Sequence, residues 1–442
     1  MAEIPTIFAP ATAHGRAGIA VVRISGPKVR AALMALGCPL PSARMATLAT
    51  FAQKGVAIDR GLVLWFPAPH SFTGEDMAEL HVHGSRAVLQ ALARALGGMD
   101  GLCMAEPGEF ARRAFLNGKL DLAEVEGIAD LVDAETEVQR MQALRVLQGE
   151  ASARYEALRK QAVHALAHLE AAIDFSDEDI PPTLFATVNA EVQSLAKHVA
   201  ELLGDRRGQR IREGISIVIL GAPNAGKSSL LNALARREAA IVSHTAGTTR
   251  DLIEVHLDIA GFACVLVDTA GLRDSTDPVE QEGIRRARAR AASADIKLLL
   301  FDGARLPALD TQTQALADAN ALVIISKADA LSAPSPVSVA GLTPLPVSVQ
   351  RGEGLDALLA TLEARLRASL DMAGAAPLIT RERHREALTQ ALGHLQRFLQ
   401  GLPIELACEE LRLAAQQLGK ITGKISVDEL LDAIFREFCI GK

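Results

Sequence analysis

The rhythm of apolar positions changes three times along the chain. Up to residue 118 it comes in strand-sized runs. Ile19-Ala20-Val21-Val22-Arg23-Ile24 and Gly61-Leu62-Val63-Leu64-Trp65-Phe66 predict strands between Gly and Pro punctuation, and residues 87–96 predict a helix. From 120 to about 203 glycine becomes rare. Leu122, Val125, Ile128, Leu131 and Val132 recur at helical spacing and are expected on one buried face. Pro181-Pro182 divides this stretch into at least two long helices, and the charged run 204–210 predicts a linker. Strands and helices alternate over 214–367, with a Pro/Ser/Val-rich surface connection at 331–346. Helical spacing returns at 381–400, 405–418 and 426–438. The pattern predicts an α/β domain at 1–118 and a discontinuous α-helical domain made of 119–210 and 371–442. A nucleotide domain at 211–370 is inserted between its halves.

Composition narrows the function classes. Of 442 residues, 49% are apolar and 22% charged, enough for folded cores. The net charge of −7 argues against a whole-protein grip on nucleic acid, so RNA contact needs a local basic patch or a partner. Aromatics at 3% are too few for base-stacking platforms. The five cysteines, Cys38, Cys103, Cys264, Cys408 and Cys439, include no C-x-x-C pair. Neither a zinc site nor a disulfide framework is expected, and a reducing cytoplasm fits. The N-terminus lacks signal-peptide features and the apolar runs are strand-sized, so no membrane association is expected.

The most specific chemistry lies in Gly221-Ala222-Pro223-Asn224-Ala225-Gly226-Lys227-Ser228, which fits G-x-x-x-x-G-K-[ST] between a predicted strand, 215–220, and a helix from Ser229. Glycines let the backbone close round a phosphate, and the helix N-terminus supplies positive potential there. Lys227 is expected to reach the terminal phosphates and Ser228 to hold Mg²⁺. Asn224, Ala225, Gly226 and Ser229 complete the expected contacts. Downstream, Asp268-Thr269-Ala270-Gly271 follows the strand Cys264-Val265-Leu266-Val267, with Asp268 placed for Mg²⁺ through water and Gly271 for the γ-phosphate. The preceding strand, 253–259, turns at Ala260-Gly261 and predicts an antiparallel hairpin at the edge of a parallel sheet.

Ser326-Lys327-Ala328-Asp329 specifies the base. A carboxylate at Asp329 accepts from guanine N1–H and the 2-amino group, donors that adenine lacks there. The Lys327 stem can lie along the base. Ser326 replaces the usual asparagine, which predicts looser hydrogen bonding. Ser348-Val349 is placed to offer a backbone N–H to guanine O6. The segment Ala246-Gly247-Thr248-Thr249-Arg250-Asp251 stands where a switch loop belongs, with Thr249 expected on Mg²⁺. Leu272 occupies the place of the water-orienting glutamine, so another group must do that work. Glu280 is a candidate, and equally an ordinary acid at an exposed helix start. Arg250 reads either way, and the arginines at 285–290 read as a solvated helix face. His81-Val82-His83 lacks a third ligand at useful spacing and reads as structural.

Taken with Arg23-Ile24-Ser25-Gly26, Ser71-Phe72-Thr73-Gly74-Glu75-Asp76, Phe115-Leu116-Asn117-Gly118-Lys119-Leu120-Asp121 and the terminal Phe438-Cys439-Ile440-Gly441-Lys442, these motifs make the chain resemble the MnmE (TrmE) family along nearly its whole length. The resemblance implies a Ras-like G domain inserted in a helical domain, and an N-terminal domain that dimerises and binds 5-formyltetrahydrofolate or another tetrahydrofolate. Folate contacts are then implied at Arg23, Glu79, Lys119 and Lys442. It implies K⁺ at Asn224, Ser243, Thr245 and Thr248, doing the work of an arginine finger. Nucleotide contacts at Ser243, Thr245, Gly247, Thr248, Thr269 and Ala270 belong to the same implication, which also favours Glu280 as the water-orienting residue. Cys439 matches a cysteine required for modification; read alone, it is either a thiol activated by a nearby cation or a buried, inert one. The implied partners are tRNA, a second copy of the chain, and the flavoprotein MnmG, which carries the FAD. The implied reaction couples GTP hydrolysis to a carboxymethylaminomethyl-type modification of the wobble uridine. Two other classes share the phosphate loop: a regulatory switch in ribosome assembly or at a membrane, and a folate-dependent one-carbon enzyme with a regulatory GTPase. The first typically appends a basic RNA-binding module, where this chain has its Cys-x-Gly-Lys terminus.

Overall fold

The computed structural model describes residues 4–13, 15–174, 182–238, 240–241, 253–268, 294–331, 338–370, 377–425, 434–435, 438 and 441. In chain order the N-terminal elements are β1 (Thr6–Pro10), β2 (Ala17–Ser25), α1 (Val29–Ala35), β3 (Thr47–Gln53), β4 (Val56–Phe66), β5 (Met77–Gly84), α2 (Arg86–Gly97), β6 (Leu102–Met104) and α3 (Glu109–Leu116). Helices follow: α4 (Leu122–Asp133), α5 (Glu137–Leu147), α6 (Glu150–Asp174), α7 (Pro182–Gly204) and α8 (Arg207–Glu213). Then come β7 (Ile215–Gly221), α9 (Lys227–Arg237), β8 (Ala240–Ile241), β9 (Ile253–Ile259), β10 (Phe262–Asp268), β11 (Ile296–Asp302), α10 (Thr311–Gln314), β12 (Ala321–Ser326), β13 (Leu345–Val347) and α11 (Leu355–Leu370). Helices α12 (Glu382–Phe398) and α13 (Ile404–Thr422) end the series. The fold is mixed α/β with a substantial helical part.

Two compact units emerge, one of Met1–Ala129, Val146–Leu195 and Gln390–Lys442, the other of Asp130–Arg145 and Ala196–Thr389. The first holds a six-stranded sheet in the order β3-β4-β5-β2-β1-β6. It is antiparallel except for the parallel β1–β6 pair. Period-two alternation puts Val22 and Ile24 of β2 with Leu80 and Val82 of β5 into one core, closed by Leu92 and Leu96 of α2. In the same unit α6 and α13 run against each other. Their buried faces are rich in alanine (Ala151, Ala162, Ala165 and Ala172 against Ala407, Ala414 and Ala415), which lets two helices approach closely.

The second unit holds a seven-stranded sheet, β13-β12-β11-β7-β10-β9-β8. Strands β13 through β10 are parallel, and β9 and β8 add an antiparallel edge, as the turn at Ala260-Gly261 predicts. Parallel strands covered on both faces read as continuous apolar runs. Ile215, Ile217 and Ile219 of β7 face one core, with Leu230 and Leu234 of α9 and Leu358 and Leu362 of α11. Val218 and Leu220 face the other, with Leu299, Phe301 and Val323.

Several expectations need correction. The stretch 204–210 is not a simple linker: α7 runs through Gly204 and α8 begins at Arg207. Arg207 forks onto Asp205 at 2.8 Å, which fastens that corner. The face expected from 122 to 132 is buried at Leu122 and Val125 and half-buried at Ile128 and Leu131, but Val132 is 46% exposed. The stretch 331–346 is not all surface, because Val339 is fully buried. The helix expected at 426–438 lies mostly outside the described residues. Cys38, Cys103, Cys264 and Cys408 are free thiols. No helix among the described residues is long and apolar enough to cross a membrane.

Candidate functional site

The phosphate loop joins the end of β7 to α9 in the second unit. Gly221 must lack a side chain, because a Cβ there would lie 2.6 Å from Leu300 O on the neighbouring strand. Gly226 precedes α9 with φ 93°, a left-handed conformation that glycine adopts without steric cost. Asn224 takes φ 64° and is exposed, as are Ser228 and Ser229, while Ala225 is buried. The first turn of a helix carries N–H groups with no partner four residues back, so the loop and α9 present donors to an anion. Lys227 folds over the loop, its Nζ 2.8 Å from Gly221 O and 3.1 Å from Ala222 O. The ammonium is thereby held above the cradle where phosphate charge would lie.

The strand ending at Asp268 runs parallel to β7, with Asp268 opposite Ile219. This register places the end of β10 beside the start of the phosphate loop.

The segment expected to read the base, Ser326-Lys327-Ala328-Asp329, begins at the end of β12. Ser326 is buried, and its Oγ lies 2.6 Å from Ala225 O inside the phosphate loop and 3.2 Å from Phe301 O. A hydroxyl has one proton, and the shorter bond takes it. The looser hydrogen bonding expected from the missing asparagine is thus offset, because serine supplies a bond to the phosphate loop. Lys327 takes φ 53°, and its Nζ lies 2.7 Å from Asp302 Oδ2 at the end of β11. Burial pushes the Asp302 carboxyl up, but the Lys327 bond, the Ala304 N–H and the nearby Lys327 and Arg305 charges leave it below the usual range. Asp302 is directly opposite Ser326 in the β11–β12 register.

Asp329 lies in a 3-10 turn, Ala328–Ala330, and accepts a hydrogen bond from Ser348 Oγ. That bond, with its own backbone N–H and the Arg351 charge, holds its carboxyl below the usual range against a smaller burial effect. Ser348 is fully buried and fixed in turn: its N–H donates to Glu353 O at 2.9 Å, and its Oγ accepts from Arg351 N–H at 3.2 Å. Sequence reasoning assigned Ser348 a backbone role and missed its hydroxyl. It also missed Asp302, whose signal was an aspartate closing an apolar strand just before Gly303.

Of the other expected nucleotide and cation residues, Ser243, Thr245, Gly247, Thr248, Thr249, Thr269, Ala270, Gly271 and Glu280 lie outside the described residues. Cys439 and Lys442 do too.

In the first unit, Arg23 on β2 and Glu79 on β5 are register partners, with Nε 3.0 Å from Oε1. Their side chains are 27% and 17% exposed, so the pair stays accessible to a ligand. Arg23 also lies over the Phe72 ring at 5.6 Å, and Lys119 Nζ reaches Pro69 O at 3.3 Å. Both cations therefore meet the loop between β4 and β5. A polar network holds that loop. Ser25 Oγ bonds Thr73 Oγ1 and Glu75 Oε2 at 2.7 Å each, Arg113 bonds Glu75 at 3.0 Å, and Asn117 donates to Thr73 O at 2.7 Å. His81 lies 3.3 Å from Glu79, and His83 2.9 Å from Asp59. Each histidine has a carboxylate partner.

Comparison with known proteins adds two family models. "MnmE helical domain" matches residues 122–439, and "GTP-binding protein TrmE N-terminus" matches residues 6–119. A protein of Paramagnetospirillum magneticum named tRNA modification GTPase MnmE is 57% identical over 440 residues, covering 99% of each chain. One of the same name from Rhodospirillum rubrum is 51% identical over 454 residues, covering 99% of this chain and 100% of that one. Among solved structures, the G domain of the T. maritima FeoB iron transporter is 22% identical. It covers 34% of this chain and 98% of its own, at a TM-score of 0.27.

Proposed function

The chain belongs to the MnmE family of tRNA modification GTPases, and on that premise we propose that it hydrolyses GTP to GDP and phosphate to drive modification of the wobble uridine of tRNA. The observation that carries the reading is the Ser326–Ala225 bond, which fastens a guanine-reading loop to a phosphate cradle. Phosphate and base recognition therefore share one site. The four-part division at 118, 210 and 370, with an inserted Ras-like G domain and a folate-binding-like N-terminal domain, belongs to the same proposal.

In this reading the phosphate loop and α9 bind the phosphates, Lys227 turns from the loop carbonyls to the β- and γ-phosphates, and Asp329 accepts from the guanine edge. Glu280 orients a water in line with the γ-phosphorus. A bond forms from the water oxygen to phosphorus as the bond to the β–γ bridging oxygen breaks, and GDP leaves with that oxygen. Ser228, exposed on the first turn of α9, has the hydroxyl that suits Mg²⁺, with Thr249 as the second proposed ligand. Asn224, exposed and left-handed within the loop, carries an amide oxygen that suits K⁺, with Ser243, Thr245 and Thr248 proposed alongside. When bound, these cations offset negative charge developing on the phosphate oxygens.

The Glu79 carboxylate suits the N–H edge of a pterin, with Arg23 at 3.0 Å holding it in place, and the proposed tetrahydrofolate contacts at Arg23 and Glu79 are joined by Lys119 and Lys442, whose charge suits a folate carboxylate. Such a ligand supplies one-carbon chemistry. Homodimerisation, partnership with MnmG, cytoplasmic location and a role for Cys439 in modification belong to the same reading.

GTP turnover in potassium against sodium tests it, with Glu280→Ala alongside. Turnover is expected to be faster in potassium and sharply reduced in the variant, with nucleotide binding retained. Equal rates in both salts remove the cation assignment, and unchanged turnover in the variant removes Glu280.

A further inference from the structure

His164 and His168 stand four residues apart on α6, so both imidazoles leave the helix from one face. Their Nε2 atoms are 3.3 Å apart. The rings meet edge to face at 84°, with centroids 4.4 Å apart. From α7, Glu191 places Oε2 3.4 Å from His164 Nδ1. All three residues belong to the first unit, and none takes part in the nucleotide or folate chemistry described above.

Two observations fit a metal. The first is the spacing. Two imidazole nitrogens on one tetrahedral ion, each about 2.0–2.1 Å from it, lie about 3.3–3.4 Å from one another. The Nε2 pair already has that separation. The second is the carboxylate on the far nitrogen. A metal-bound histidine almost always gives its other N–H to a carboxylate, carbonyl or water, which fixes the tautomer and raises the basicity of the ligating nitrogen. Glu191 Oε2, 3.4 Å from Nδ1, stands on the far nitrogen of His164, where a bound metal would draw the Nδ1 proton toward it. In the metal-free protein a hydrogen bond from His168 Nε2–H to the His164 Nε2 lone pair occupies the same spacing, and a bound ion would replace that proton.

We propose that His164 and His168 form a two-nitrogen site for a borderline divalent transition metal of the Zn²⁺, Ni²⁺ or Cu²⁺ class, with Glu191 orienting His164 and water completing the coordination. Imidazole suits these ions, whereas Mg²⁺ and Ca²⁺ require oxygen. The site is open to solvent, with the His164 side chain 62% exposed, so loading needs no opening of the fold.

The test is a calorimetric titration of Ni²⁺ into the reduced full-length chain near neutral pH, repeated on His164→Ala, His168→Ala and Glu191→Gln. Any other metal-binding thiols or histidines titrate alike in all four proteins and cancel in the difference. The wild type is expected to bind one more equivalent than either histidine variant. Glu191→Gln is expected to keep that equivalent with affinity reduced about tenfold or more. Alanine favours helix, so the variants should fold, and His168→Gln repeats the test should His168→Ala not. Equal stoichiometry and affinity in the wild type and both histidine variants would overturn the site. An unchanged Glu191→Gln would overturn the orienting role.

Discussion

The Lys327 ammonium lies 2.7 Å from the Asp302 carboxylate, although 25 positions separate them in sequence. The parallel register of β11 and β12 brings them together, since Asp302 sits opposite Ser326, the residue before Lys327. Lys327 holds a left-handed backbone that a side chain rarely adopts, and the ion pair offsets some of that cost. Asp302 is thus expected to act through Lys327. Asp302→Ala should weaken GDP binding several-fold. The double variant with Lys327→Ala should bind no more weakly than Lys327→Ala alone. Additive losses in equilibrium binding would show that Asp302 acts independently.

Ser326 leads to a second expectation. Ser326→Ala leaves Ala225 O without its side-chain donor, at a cost of about 1–3 kcal/mol, or roughly 5- to 150-fold in GDP affinity. Ser326→Asn offers two N–H donors in place of one and should bind GDP at least as tightly as the wild type. Nucleotide dissociation rates measure both, and an asparagine variant weaker than the alanine one would contradict the role given to this bond.

In the proposed reading base choice rests on Asp329, whose carboxylate Ser348 anchors. Asp329→Asn exchanges an acceptor for a group that can donate, so preference should move from guanine to xanthine, which carries an oxygen at position 2. GDP affinity should fall on the order of 1,000-fold while XDP binding appears. Ser348→Ala removes only the anchor and should cost GDP binding about 1 kcal/mol. Competition binding with both nucleotides checks this, and unchanged guanine preference in Asp329→Asn would move base recognition elsewhere.

A pH effect is expected in the first unit. Glu156 on α6 receives Arg159 and, from the end of α13, Lys424 at 3.0 Å. The Arg159 bond lowers its pKa most, burial opposes it, and Lys424 adds to the lowering, leaving it at about 2 against an ordinary 4.5. A folded pKa below the unfolded one stabilises the fold above about pH 4.5, and that stability is lost as pH falls toward about 2. Solvent screening keeps the contribution on the order of 1 kcal/mol. Glu156→Gln should lower the melting temperature at neutral pH and flatten its decline through that acid window. A decline parallel to that of the wild type would contradict the assignment.

The phosphate loop was legible because its chemistry is contiguous: eight successive residues carry it, and the flanking periodicities predict the strand and helix that hold it. The hairpin at Ala260-Gly261 was legible for the same reason. The partners of those residues were not. Ser326 and Ala225, Lys327 and Asp302, and Ser348 and Asp329 meet only once the strand order is set, and no local pattern encodes that order. The N-terminal loop shows the same limit. Its residues 71–76 could be matched as a motif, yet their support comes from Ser25, Arg113 and Asn117 on other elements. Helix ends misled where packing overrides spacing, as at Val132, which keeps the period of α4 but is exposed.

The central claim is that GTP hydrolysis at this phosphate loop serves modification of the tRNA wobble uridine. The most direct measurement is nucleoside analysis of tRNA from cells lacking the chain, complemented with the wild type or with Lys227→Ala. The account predicts loss of the aminomethyl-type wobble modification, its return with the wild type, and its continued absence with Lys227→Ala. An intact modification profile in cells lacking the chain would contradict it.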